Sequence, residues 1–155
     1  MKPAFLDCLE RLDIRQAWGL WGAAFPHLPP PENDDGMLIM LHMARTQSPA
    51  LSLRQRAYSH AWLRERGYPS QLPDHLRQPA ERLYPIIASG VGISVNFKSS
   101  DLKPAAELIR GAMEGAVYEA EADGKLNDSD HVKARMTEAR EKETRALFGR
   151  WSPSK

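Results

Sequence analysis

The last third of the chain limits the fold more than any other part. Ala105, Leu108, Ile109, Ala112, Met113, Ala116, Val117 and Ala120 recur at intervals of three and four, the period of one helix face. Pro104 suits the first turn. A polar stretch, EAEADGKLNDSD, follows at residues 119–130. From about Asp130 to Phe148, Val132, Met136, Ala139, Ala146 and Leu147 then make a second stripe. On its far side Glu138 with Lys142, and Glu141 with Arg145, stand at the i,i+4 spacing and orientation of favourable ion pairs. Two apolar stripes joined by a short corner predict an antiparallel helical hairpin over residues 104–148.

The corner itself resembles an EF-hand calcium loop. Glu119, Glu121 and Asp123 fall at its first, third and fifth places, Gly124 at the sixth, Asn127 at the ninth and Asp130 at the twelfth. The resemblance implies a divalent ion held by Glu119, Glu121, Asp123 and Asp130. It departs from the family where side-chain reach matters: Glu119 is a methylene longer than the usual aspartate, and Asp130 a methylene shorter than the usual glutamate. The same residues also read as a helix stop at Gly124, Leu126 tucked into the hairpin core, and a new cap at Asn127, Asp128 or Ser129. That second reading is adopted, and no metal site is assigned.

Upstream, Phe5, Cys8, Leu9 and Leu12 begin a helical pattern that Ala17, Trp18, Leu20, Trp21, Ala24 and Phe25 continue, so one helix is expected over residues 3–25. Four prolines make residues 26–36 a loop. MLIMLHMART, residues 37–46, reads as a core helix. Ser52 with Gln55 makes a capping box and Gly67 a stop, placing another helix at 52–66. YPSQLPDHLRQP reads as a connector. A short helix is then expected from Pro79 to Tyr84, ended by Pro85, and VGISVNF at 91–97 alternates like a strand. The expected fold is mostly α, a single domain of five or six helices with at most one short β segment.

Composition narrows the function classes. A hydrophobic fraction of 42% and a charged fraction of 26% are globular values, and no apolar run nears the roughly 20 residues of a membrane span. The N-terminus lacks the apolar core of a signal peptide, and the single cysteine, Cys8, suits a reducing compartment, so the cytoplasm is expected. The five histidines and Cys8 show no zinc spacing. GVGISV is no dinucleotide loop, and GxSxG, HExxH and Walker patterns are missing. No catalytic set and no cofactor are assigned.

What remains is charge. Residues 1–44 carry three cations against six acids, whereas 45–82 carry seven arginines against three acids. Arginine grips carboxylates and phosphates bidentately. On a helical wheel of 52–66, Arg56, His60 and Arg66 fall on the outer side, while Arg54 and Arg64 fall among apolar residues and must snorkel, pair or be covered. Arg54, Arg56, His60, Arg64 and Arg66 are therefore the candidate partner-binding residues. The expected function is a non-catalytic adaptor or regulator that binds a protein with acidic groups. A nucleic-acid partner gripped by its phosphates is the alternative, and a weak divalent-metal helix-loop-helix the third. Trp18, Trp21 and Phe25 form an aromatic stripe read as core, with a homodimer contact over Gly19 and Gly22 as the other reading.

Overall fold

The computed structural model describes residues 3–89 and 99–148. Among these the chain forms seven α-helices and no strand: α1 (Pro3–Arg11), α2 (Ile14–Ala24), α3 (Asp34–Gln47), α4 (Leu53–Glu65), α5 (Asp74–Ala88), α6 (Leu102–Ala122) and α7 (Ser129–Phe148), with a 3-10 turn at Ser99–Asp101. The strand expected at 91–97 lies outside the described residues.

The expected N-terminal helix is two helices. Leu12 adopts φ 51°, and the amides of Leu12 and Asp13 donate back to the Leu9 and Cys8 carbonyls. This is the left-handed helix stop that glycine usually makes, so a leucine there gave no warning. Asp13 then caps α2 by accepting from the Gln16 amide at 3.0 Å. The same stop, with glycine, ends α4 at Gly67 (φ 78°) and α6 at Gly124 (φ 72°).

The connector expected over residues 68–79 holds only to Pro73; from Asp74 the chain is already α5, which runs through both Pro79 and Pro85. Each proline removes one backbone hydrogen bond and costs up to about 3 kcal/mol in a helix interior. Leu76, Ala80, Leu83 and Ile87 explain why the helix continues. They form a buried stripe at helical spacing, and burial of such side chains contributes roughly 1.5–3 kcal/mol for each large one.

Two apolar clusters organise the packing. Phe5, Cys8, Leu9, Ala17, Trp21, Met37 and Leu41 join α1, α2 and α3, while Leu53, Ala57, Leu76, Leu83, Ile87, Leu108 and Leu147 join α4 to α7. The aromatic stripe belongs to the first: Phe25 meets Phe5 edge-on at 5.1 Å and Trp21 at 4.7 Å. In the C-terminal hairpin α6 lies against α7 along their length. Leu126, expected in that core, is exposed in the corner.

Close approach of α5 and α6 depends on Gly111. A Cβ there would lie 2.6 Å from both Leu83 methyls and 3.0 Å from its Cγ. Gly22 of α2, in contrast, has nothing within 4 Å of such an atom. Thermal denaturation should therefore separate two like substitutions. Gly111→Ala should destabilise by about 1–2 kcal/mol, crowding outweighing the gain in helix propensity, whereas Gly22→Ala should stabilise by up to about 1 kcal/mol.

Candidate functional site

α4 is surrounded by α3, α5 and α6, so it has no broad outer side. The wheel assumed one, and the structure corrects it: Arg56 and His60, placed outward by the wheel, are 3% and 2% exposed. Arg56 donates from Nε and Nη2 to the Thr46 carbonyl at 3.3 and 3.0 Å, and from Nη1 to Glu119 Oε1 at 2.9 Å. The second Glu119 oxygen lies 3.0 Å from His75 Nε2. One guanidinium thus ties the end of α3 to α4 and α6, with α5 joined through His75. His60 is hydrogen-bonded through Nδ1 to Ser70 Oγ at 2.6 Å, and its Nε2 stands 3.8 Å from Glu81. Burial, then Arg64, lowers its pKa.

Arg54 pairs inward. Its Nε donates to Glu143 Oε1 at 2.6 Å, and the Glu143 side chain is wholly buried. Burial raises the Glu143 carboxyl, and Arg54 works against that shift. Arg64 and Arg66 are exposed. Of the five candidates, then, Arg54 and Arg56 are held by internal acids, His60 is internal, and the other two face solvent.

The surface beside them draws on α3 as well as α4. His42 and Arg45 of α3 face Tyr58 and Trp62 of α4. The His42 ring stacks on Trp62 at 4.0 Å and 14°, and Arg66 Cζ stands 4.1 Å from the centre of the same ring. Two groups so near one ring centre occupy opposite faces, so Trp62 is sandwiched. His42 Nδ1 is hydrogen-bonded to Ser59 Oγ at 2.9 Å. Burial, with Arg45 and Arg66 adding repulsion, lowers its pKa to about 3, so its ring is neutral.

Arg45 is the anomaly of this face. It is 5% exposed, and its Nε has no hydrogen-bond partner. Among the described residues no carboxylate lies within ion-pair distance; its near neighbour is the Tyr58 ring, 6.0 Å from Cζ. Burial, then Arg54, lowers its pKa to about 10, with Tyr58 and Glu10 opposing from a distance. Spacing alone shows the i,i+4 pair of Trp62 and Arg66. Arg45 meeting Tyr58 depends on how α3 crosses α4, which spacing does not report.

The EF-hand candidates do not converge. Glu119 lies within α6 and is engaged by Arg56 and His75; Asp123 accepts from Arg135 at 2.6 Å; Glu121 and Asp130 are exposed. Among the described residues no three His, Cys, Asp or Glu side chains are placed to hold a metal ion. Asp128 instead accepts from the His131 amide at 3.1 Å, as a helix cap does. Cys8 is buried and donates its thiol to the Asp13 carbonyl at 3.1 Å; burial pushes its pKa up to about 11. Among the described residues no helix is long and apolar enough to cross a membrane.

Arg56→Leu leaves Glu119 with His75 alone and should cost about 3 kcal/mol in denaturant unfolding, whereas Arg64→Ala should stay within about 0.5 kcal/mol. His42 makes stability depend on pH. Its folded pKa of about 3 lies below its ordinary 6.5, so its contribution is complete above the higher value and is lost as pH falls through the interval. Between about pH 6.5 and about pH 4, stability should fall less steeply in His42→Gln than in the parent, by at most about 1.4 kcal/mol per pH unit; equal slopes would contradict the assignment. No protein-family model, curated protein or solved structure matches the chain.

Proposed function

We propose that the protein is a non-catalytic cytoplasmic adaptor or regulator that binds an acidic segment of a protein partner on the face shared by α3 and α4. Arg45 carries the proposal. A guanidinium stripped of most of its water and given no carboxylate is costly, and a partner's Asp or Glu would supply the missing anion. Tyr58 offers exposed aromatic area beside it, and Arg66 a second cation already ordered on Trp62. The candidate residues thereby shift from the whole arginine helix to Arg45, Tyr58 and Arg66, while Arg64 lies on the α5 side of α4 beside Ala80 and Glu81. A lone buried thiol at Cys8 suits a reducing compartment.

The sandwich around Trp62 favours protein over nucleic acid. Single-strand binders present several open aromatic faces on which successive bases stack; Trp62 is covered by His42 and Arg66, which leaves Tyr58 as the exposed ring beside Arg45. Fluorescence anisotropy with a labelled Glu- and Leu-rich peptide, against a labelled single-stranded oligonucleotide, tests the choice. The peptide should bind saturably, and Arg45→Met or Arg66→Ala should weaken it by about fivefold to tenfold with little change in melting. Oligonucleotide binding that falls steeply with salt, with no peptide binding, would overturn the proposal in favour of phosphate contacts.

A further inference from the structure

We infer that a pocket between α4, α6 and α7 binds a small organic monocarboxylate, its acid group at Lys142 and its short apolar tail against Gly115, Ala116 and Ala139. The pocket has a volume of about 110 Å³, room for roughly four to six ligand heavy atoms in place of a few waters. It exists because small residues meet there: Ala112, Gly115 and Ala116 on α6 face Ala139 on α7. Leu53 forms a wall, with one methyl 3.0 Å from where a Gly115 Cβ would stand.

The charges around the pocket select the ligand. Arg56 and Glu119 satisfy each other at 2.9 Å, and Arg135 is engaged by Asp123 at 2.6 Å. Lys142 differs. Among the described residues no carboxylate lies within ion-pair distance of its amine, which is partly buried and whose pKa burial lowers; Glu10, Glu138 and Glu143 oppose that shift from farther away, and Arg145 adds to it. An anion that covers the amine while placing apolar atoms on the alanine floor satisfies both surfaces. Glu138, which also lines the pocket one turn before Lys142, repels a second negative charge. That makes a monocarboxylate a better fit than a dicarboxylate. A bare inorganic anion would leave the floor uncovered.

Butyrate titrated into the full chain, followed by the amide resonances of Gly115 and Ala139, tests the site. A saturable shift is expected, with succinate and butylammonium at least about tenfold weaker. Lys142→Met should weaken butyrate by about tenfold or more. Ala139→Leu, which fills the floor and leaves the charge in place, should abolish the saturable shift, with melting confirming that each variant folds. A shift linear in butyrate, an unchanged affinity in Lys142→Met, or butylammonium binding as well as butyrate would each overturn the assignment. The ligand series on the parent chain reads the outcome even if a variant fails to fold.

Discussion

Arg56 is the point at which the helices of this protein are made to agree. Its guanidinium is buried, and its donors reach the Thr46 carbonyl at the end of α3 and the carboxylate of Glu119 far along α6. Glu119 in turn holds His75 at the start of α5. Apolar packing alone would let helices slide by a turn with little change in buried area. A buried cation allows no such freedom, because any register that separates it from its acceptors leaves a charge unsatisfied. The two apolar clusters supply most of the driving force, and this contact selects one arrangement among those they would permit.

The parts of this architecture that were legible in the amino-acid sequence are the locally determined ones. The capping box of Ser52 and Gln55, the stop at Gly67 and the stripe of α6 each depend on residues a few positions apart, and each stands where periodicity put it, whereas on α7 Ala146 of the expected stripe is exposed and Glu143 is buried. The departures have one physical origin. Leu12 takes a backbone conformation its side chain disfavours, and α5 runs through two prolines, because neighbouring helices outweigh the local preference. The same applies to the arginines. A wheel can show that Arg56 and Leu53 point differently, but not that α4 has neighbours on three sides.

This distinction also shapes the functional reading. Glu119 looked like the first ligand of a calcium loop because charge and spacing are visible in a sequence while commitment is not; its carboxylate already serves Arg56 and His75. Arg45 is the converse, at most a neighbour of the candidate arginines in the sequence until folding buries it without an acid. Groups that folding leaves unsatisfied are better pointers to a partner than groups that are merely charged, since the former cost free energy until something binds.

The two prolines of α5 make its helical form conditional on its neighbours. Pro79 and Pro85 cannot donate to the carbonyls of His75 and Glu81, so the helix lacks two rungs and has little tendency to form by itself. Its helicity is borrowed from the surfaces that receive Leu76, Leu83 and Ile87. Loosening of α4 or α6 around those side chains would remove what holds the segment helical.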